Sequence, residues 1–321
     1  MPRYQRILID VSSLYFRSFY TSQHLVADVE GKRMVTGGIF TSIKMIQRIE
    51  REYLDTDGRM YFLFDNAFSG EDRRKDIDPD YKRNRKKRDP QFYRGLDYLQ
   101  LILIHYQNGY RIVRRQFSEA DDLVMPILES FGNKNHSVLL VSNDMDWSRA
   151  ISESVQWMTH KNNQDIIYTK EKFSEEYGFN PNLDAICLYK AIRGDVSDNI
   201  PPGVKNVPEN IVLDIVHQAK SVANMFLYLS ELNIPSQWKD AIKRNKGRIK
   251  LNFMLVDYQP ISVASCRECT SITEFNKDML IMFYRILNFK PEGIDERLRK
   301  LDVPAKEEDF FKEFDMYPRA E

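Results

Sequence analysis

The stretch HSVLLVSNDMD, residues 136–146, runs from an unbroken apolar segment, Val138 to Val141, directly into Asp144 and Asp146. A short apolar run bounded by polar and turn residues reads as a strand buried on both faces. Two further stretches repeat the design. YQRILID (4–10) closes on Asp10, and MYFLFD (60–65) closes on Asp65. Between these runs, GGIFTSIKMIQRIEREYL and FYRGLDYLQLILIHYQ space their apolar residues with helical period. Strands alternating with helices predict an α/β fold with a mostly parallel central sheet flanked by helices. Ligands of such sheets bind beyond the carboxyl ends of the strands, and all three strands put carboxylates there.

A second acidic group sits in FSEADDLVMPILESF, 117–131, where Glu119, Asp121 and Asp122 stand at the mouth of an apolar helix. Capping alone could explain them, because negative side chains are favoured at a helix N-terminus. That account covers one helix and leaves the acids at three strand ends unexplained, so a shared site is the stronger reading. Asp195 and Asp198 in RGDVSDNIPPG join the set and bring it to nine carboxylates.

Nine acids crowded together would repel and take up protons unless cations held them. Oxygen ligands without His or Cys suit Mg²⁺, with Mn²⁺ able to substitute. More carboxylates than one ion needs imply two or more ions, and ion pairs about 3.5–4 Å apart are the device of phosphoryl transfer.

The 321 residues carry 47 Lys or Arg and 47 Asp or Glu, a formal net charge of zero. Locally the balance breaks: RRKDIDPDYKRNRKKR, 73–88, has nine basic residues against three Asp. Cations interleaved with Tyr81, Phe92 and Tyr93 offer phosphate contacts and rings for base stacking, against the plain alternative of a solvated charged loop. Its place just after the Asp65 strand favours substrate binding.

No run of 18 uncharged apolar residues occurs, and the opening MPRYQRILIDVSS lacks the marks of a signal peptide. A cytoplasmic protein without a membrane partner is expected, as a monomer. Cys266 and Cys269 form a C-x-x-C without a second pair or nearby His, so packing is expected rather than zinc. Beyond about residue 180 the pattern turns mainly helical, in NLDAICLYKAIRGD, PENIVLDIVHQA, SVANMFLYLSEL, SQWKDAIKRN and KDMLIMFYRILNF. This predicts a catalytic domain over 1–180 and a helical region over 181–321, expected to bind DNA, packed onto the sheet because no Pro/Gly/Ser linker divides them. The acidic tail AKEEDFFKEFDMYPRAE reads as a last helix, with a partner-binding peptide as the alternative.

In combination and in order over residues 4 to 216, these blocks resemble the 5′ nuclease family of flap endonucleases and 5′-3′ exonucleases. LIDVSSLYFRSFY is similar to the family's first aspartate strand and helix, and EADD, SNDMDW and GDVSDNIPPGV to its later acidic blocks. YKRNR is similar to the Tyr-Lys-x-x-Arg of its helical arch. FLFDNAFSGEDRRKDIDPDYKRNR and KLNFMLVDYQPI look most like the ribonuclease H of T-even phages.

The resemblance implies a PIN-like fold, an arch over 70–92 and a helix-hairpin-helix-like segment over 194–216. It also implies Mg²⁺-dependent removal of 5′ flaps or RNA primers from branched DNA and RNA/DNA hybrids, alongside replication proteins. Asp10, Asp65, Glu119, Asp121, Asp144 and Asp146 would hold the first ions, with Asp122 supporting them and Asp195 and Asp198 at a weaker position. Lys82 and Arg85 would stabilise the scissile phosphate, with Asp146 also catalytic. Arg17, Arg73, Arg74, Tyr81, Arg83, Lys86, Lys87, Arg88, Gly203 and Lys205 would bind nucleic acid. The segment GVKNVPEN departs from the family's glycine-rich hairpin, with Asn206 and Pro208 at glycine positions, which puts the usual duplex grip and potassium site in question. That departure also admits a binding protein that has lost catalysis, and a PIN-type endoribonuclease is a third reading.

Overall fold

A computed structural model describes residues 2–29, 31–65, 73–132, 136–258, 260–295 and 298. The N-terminal part contains β1 (Tyr4–Asp10), α1 (Val11–Thr21), β2 (Val26–Val29), β3 (Lys32–Val35), α2 (Gly37–Tyr53), β4 (Leu54–Phe64), α3 (Arg73–Ile77) and α4 (Pro90–Ile104). Next come β5 (Arg111–Arg114), α5 (Val124–Ser130), β6 (Val138–Val141), β7 (Val155–Lys161), β8 (Gln164–Tyr168) and α6 (Lys170–Tyr177). The remainder is α7 (Leu183–Arg193), α8 (Glu209–Ala219), α9 (Val222–Leu227), α10 (Ser236–Arg244), α11 (Lys246–Val256), α12 (Val263–Glu268), β9 (Thr270–Ile272), α13 (Lys277–Ile286) and α14 (Pro291–Ile294).

The sheet has the order β8-β7-β6-β1-β4-β5-β9. Its five inner strands are parallel, and β8 and β9 run antiparallel at the edges. The chain builds outward from β1 through β4 to β5, then crosses back to place β6 on the other side of β1. That reversal opens a crevice at the carboxyl end of β1, where open α/β sheets bind ligands. Register fixes what lines it. Asp10 pairs with Leu63 of β4 and lies one step beyond the Ile9–Val141 pair with β6. Asp65 and Ser142 therefore flank Asp10 from the two sides.

Alternation along the strands divides the core. Ile7, Ile9, Phe62 and Val141 face α1, α2, α4 and α13, whereas Leu8, Leu63 and Leu140 join Ile186, Val212 and Ile249 of the later helices. The second cluster thus runs without a break across residue 180, and β9 returns the late chain to the sheet. The parallel sheet and flanking helices are as expected from the sequence. Strands β5, β7, β8 and β9 were not legible there. RIVR and TSI are too short to show a period. The β7–β8 hairpin turns on Asn162 and Asn163, at φ 51° and 61°, the left-handed pair a two-residue turn requires.

The arch differs from expectation. Its described part is one short helix, α3, followed by turns through Asn84 and irregular chain to Asp89. Asp78, Pro79 and Asp80 end the helical run there, since Pro clashes with the preceding turn and Asp favours local turns. Residues 70–72, the side chain of Arg73 and the tail beyond 300 lie outside the described residues.

Candidate active site

The floor of the crevice is built by strand ends tied together through serines. Asp10 caps α1, its Oδ1 accepting from Ser13 N at 2.9 Å, while Oδ2 accepts from Ser142 Oγ at 2.7 Å. Ser142 Oγ accepts in turn from Asp144 N at 3.0 Å, and Asp144 Oδ1 from Asp146 N at 2.9 Å. On the other side, Asp65 N donates to Ser12 Oγ at 3.1 Å and Asp65 Oδ1 accepts from Ala120 N at 2.9 Å. The last bond docks the 117–131 segment against β4.

That segment resolves the choice between cap and site. Asp121–Leu123 form a single 3₁₀ turn leading into α5, and neither Ala120 nor Leu123 at the two N-termini makes a side-chain cap. Each acid instead has its own work. Asp122, 1% exposed, takes both guanidinium nitrogens of Arg74 at 2.8 and 3.1 Å. Glu119 receives Lys82 Nζ and the Tyr81 hydroxyl, the latter at 3.3 Å. Among the described residues Asp121 has no cation within ion-pair distance, and it lines the cleft.

The nine carboxylates fall into two groups. Five are neutralised by the protein: Asp122 by Arg74, Glu119 by Lys82 and Arg74, Asp146 by Lys190 and Arg149, Asp195 by Lys190, and Asp198 by Arg85 and Lys82. Among the described residues, Asp10, Asp65, Asp121 and Asp144 form no ion pair. Burial and the Asp65 charge push Asp10 up to about 8. Burial with Asp122 and Glu119 nearby lifts Asp121 well above the carboxylate range. Asp144 keeps contact with solvent in the cleft, yet the protein packed around it and the Asp146 charge raise it to about 6. Burial would also raise Asp146, but Arg149 and Lys190 hold it below the usual range.

Asp10, Asp65, Glu119, Asp121, Asp144 and Asp195 line one cleft of about 870 Å³, whose wall also includes Lys82, Arg85, Lys86, Lys87 and Arg88. The donor set is all oxygen, with four carboxylates lacking a positive partner, which fits hard divalent cations. Among the described residues no three acids are gathered to hold an ion by themselves. Mg²⁺ usually keeps several waters and takes only one or two carboxylates directly, so the set fits without closer convergence.

Several basic and aromatic residues take places other than those expected. Arg74 is buried and fully engaged by Asp122, Leu255 O and Asp257 O, so it braces the acidic wall and offers nothing to nucleic acid. Tyr81 and Phe92 are 2% and 0% exposed and cannot stack bases. Tyr81 donates to Asp198 at 3.0 Å and so joins two acidic blocks. Arg17 is half-buried with its nearest polar contact the Met45 sulfur at 3.3 Å. Arg83 is exposed and paired with Asp80 at 2.8 Å. Arg88 lies over the rings of Phe16 and Phe92, at 5.3 and 4.7 Å. Gly203 is buried under α7, where a Cβ would fall 2.2 Å from Ala191 O, so it serves helix packing. Lys205 is exposed beside Asn206, whose φ of 57° supplies the left-handed turn that glycine would otherwise take.

Lys190, Arg149 and Tyr258 escaped sequence reading. Lys190 Nζ bridges Asp146 and Asp195 (2.7 Å to the latter), tying the third acidic block to the fourth. Arg149 pairs with Asp146 at 2.6 Å beneath the Tyr258 ring, whose hydroxyl donates to Asp146 O at 3.1 Å. Lys190 interrupts the apolar face of a core helix, which was the only local signal.

Comparison with known proteins agrees with this architecture. The profile of the 5′-3′ exonuclease, N-terminal resolvase-like domain, matches residues 5–178. A 5′-3′ exonuclease of Buchnera aphidicola from Schizaphis graminum is 28% identical over 220 residues, covering 68% of this chain and 72% of that protein. DNA polymerase I of Caldicellulosiruptor bescii is 25% identical over 291 residues; the match spans 88% of this chain but only 32% of the polymerase. The T5 D15 protein co-crystallised with metal ions superposes with a TM-score of 0.62 at 19% identity, over 88% of this chain and 98% of the other. A second structure of it, a flap endonuclease pseudo-enzyme-product complex with DNA and metal ions, gives 0.60 at 17% identity, over 92% and 99%. With more than half its length matched by that profile, the chain belongs to the 5′-3′ exonuclease family.

Proposed function

We propose that this protein is a Mg²⁺-dependent 5′ nuclease that hydrolyses phosphodiesters near the 5′ ends of flap or branched DNA and of RNA primers in RNA/DNA hybrids. The observation that carries the reading is the unpaired set Asp10, Asp65, Asp121 and Asp144, clustered at a sheet switch point and facing a wall of cations. A binding protein gains nothing from a cluster of uncompensated carboxylates, of which Asp10 and Asp121 are buried. Family relatives named 5′-3′ exonuclease and a neighbour solved with DNA and metal ions support the substrate class.

Asp10, Asp65, Asp121 and Asp144 would hold the cations, with Mn²⁺ as a substitute. When bound, the ions supply activation of water and charge for the leaving 3′ oxygen. Lys82 and Arg85 line the same cleft as these acids and would bind a non-bridging phosphate oxygen and stabilise the charge that develops on it. Both are held by Glu119 and Asp198 in the free protein, so substrate phosphate exchanges one anionic partner for another. Asp146 and Asp195, neutralised by Lys190, are positioning groups in this state. The ribonuclease H of T-even phages remains the finer resemblance for substrate choice.

Cleavage of 5′-labelled flap and RNA/DNA hybrid substrates with Mg²⁺ tests the reading. Product release from at least one substrate is expected, with strong loss in Asp65→Asn. If neither substrate is cut, or if the variant cuts as fast as wild type, the proposal fails. One observation favours a second reading, a structure-specific binder without turnover: five of the nine acids are already neutralised by Lys or Arg. Tight, metal-independent binding of branched DNA with no product would select it.

A further inference from the structure

Two of the three cysteines meet at one joint of the fold. Cys266 lies in α12, and Cys269 is the half-buried residue on which that helix ends, with Thr270 beginning β9 directly after it. Residues three apart on a helical turn share a face, and the two thiols hydrogen-bond to each other. Cys269 Sγ also reaches Cys266 O at 3.1 Å, an acceptor shared with Thr270 Oγ1 at 2.7 Å. Among the described residues no group of three or more His, Cys, Asp or Glu side chains is gathered to hold a metal, so the pair has no zinc site to complete.

The two sulfurs differ as an attacking and a resolving thiol do. The hydrogen bond from Cys266, and then the charge of Arg115, hold Cys269 below its ordinary value; the same hydrogen bond and burial push Cys266 up. Arg115 has no carboxylate partner among the described residues, its Nη1 donating to Ser118 Oγ at 2.8 Å. Reactive thiols are found beside such cations and in partial contact with solvent. Cys187 is the contrast, fully buried in α7 with its thiol pushed up to about 12 by that burial.

The joint touches both ends of the segment that carries Glu119, Asp121 and Asp122. On the way in, Arg114 N at the end of β5 donates to Cys269 O at 3.3 Å. On the way out, α5 packs on α12, with Cys266 in the same apolar cluster as Leu123, Val124 and Ile127. A disulfide needs its Cβ atoms about 3.5–4.5 Å apart, against the about 5–6 Å usual for residues three apart on a helix. Closing that gap shifts the end of α12, and the Arg114 contact with it.

We propose that Cys266 and Cys269 form a thiol–disulfide exchange site, which a low-molecular-weight disulfide oxidises to a bridge that displaces the 115–123 segment and slows cleavage. The Cys269 thiolate attacks one sulfur of the small disulfide, forming a mixed disulfide and expelling a thiolate. Cys266 then gives up its proton, attacks Cys269 Sγ and expels the second thiolate. Two protein thiols are oxidised, and the small disulfide is reduced to two thiols that take up the two protons. The effect on cleavage rests on the nuclease reading above; the exchange chemistry does not.

The test incubates the reduced full chain with oxidised glutathione and follows its thiols by alkylation and mass. Wild type should lose two hydrogens in mass and two alkylatable thiols, keeping Cys187. Cys266→Ser should stop at a stable glutathione adduct on Cys269, and Cys269→Ser should form neither adduct nor bridge. Arg115→Gln should form the adduct more slowly, by about threefold or more. Flap cleavage with Mg²⁺ by the bridged protein should be about tenfold slower, the scale expected of a misplacement near 1 Å. Dithiothreitol should restore it, and Cys269→Ser should cut equally with and without glutathione. Three free thiols after incubation, an adduct that persists in wild type, or a bridged protein that cuts as fast as the reduced one overturns the proposal. The nuclease reading fails separately: a reduced wild type that cuts no substrate loses that reading, and mass and thiol count still decide the exchange site.

Discussion

At the scale of single residues, the difference between neighbouring aspartates lies in their partners. Asp10 is buried with hydrogen bonds but no cation, whereas Asp146 is buried between Lys190 and Arg149. Replacing each by Asn should therefore move stability in opposite directions. At about pH 9, above its folded value of about 8, Asp10→Asn keeps the α1 cap, since Asn caps as well as Asp, and removes an uncompensated charge. The metal-free protein should gain about 1–2 kcal/mol while cleavage falls sharply, a stability–activity trade-off. Asp146→Asn leaves Lys190 and Arg149 facing a neutral amide and should cost about 3–5 kcal/mol. Urea unfolding of the two variants in EDTA decides this; changes of the same sign would contradict the pairing scheme. Lys82 sits at φ 56°, a left-handed conformation that costs a non-glycine residue about 1–2 kcal/mol, with its N–H held by Asp198 O at 2.9 Å. Its ammonium is thereby aimed at Glu119 and the cleft. Lys82→Ala should lower kcat at least tenfold with little change in KM if the group meets charge formed in the transition state; a loss confined to KM would make it a binding contact.

Among the elements, the approach of α1 to α2 is set by glycine. A Cβ on Gly37 would lie 2.0 Å from Ser22 O, and one on Gly38 would lie 2.9 Å from Phe19 Cα. Both obstacles are backbone, so α2 must move away from α1 to admit a methyl group. Because α1 begins at Asp10, that movement reaches the cleft. Gly37→Ala should destabilise by about 1–3 kcal/mol and weaken metal-dependent stabilisation with it; a variant as stable as wild type would show that the contact yields cheaply. The segment 79–89 follows a different logic, held by side chains more than by helix. Tyr81 bonds Glu119 and Asp198, Asn84 Nδ2 donates to Val196 O at 2.8 Å, and Asn199 Nδ2 donates to Asp80 O at 2.7 Å. These ties close it over the 195–199 turn, so the acidic blocks and the basic segment form one assembly.

For the molecule as a whole, the unpaired acids make stability depend on pH and metal together. Asp10 has an ordinary value of 3.8 and a folded value of about 8. Between these, the folded protein holds a proton that the unfolded chain has released, so metal-free stability falls as pH rises toward about 8. In the proposed function divalent cations would take the place of those protons, and their binding would become easier as the carboxylates ionise. The rise in Tm on adding Mg²⁺ should then be clearly larger at about pH 9 than at about pH 6. Scanning calorimetry at both values checks it, and equal increments would mean that these acids are not the cation site.

How much of this was legible beforehand follows from the range of the forces involved. Local patterns carried the strands ending at Asp10, Asp65 and Asp144, the helices between them and the later helices, because burial on a strand or helix leaves a period in the residues themselves. Order along the chain was enough to suggest a common acidic site and a family. The partners of each acid were not legible. Lys190 is a lysine on a core helix 44 residues from Asp146, and Arg74 lies 48 residues before Asp122. Nothing in composition or spacing distinguishes such internal counter-ions from the exposed cations of 83–87. Tyr81 and Phe92 read as stacking platforms until packing buried them. The sequence by itself determined the three central strands β1, β4 and β6 and which acids their ends deliver to the crevice; only the tertiary structure decided which of those acids are neutralised by the protein and which have no positive partner. The physical reason is that charge pairing acts through space over a few ångströms, between residues that the chain separates by dozens of positions.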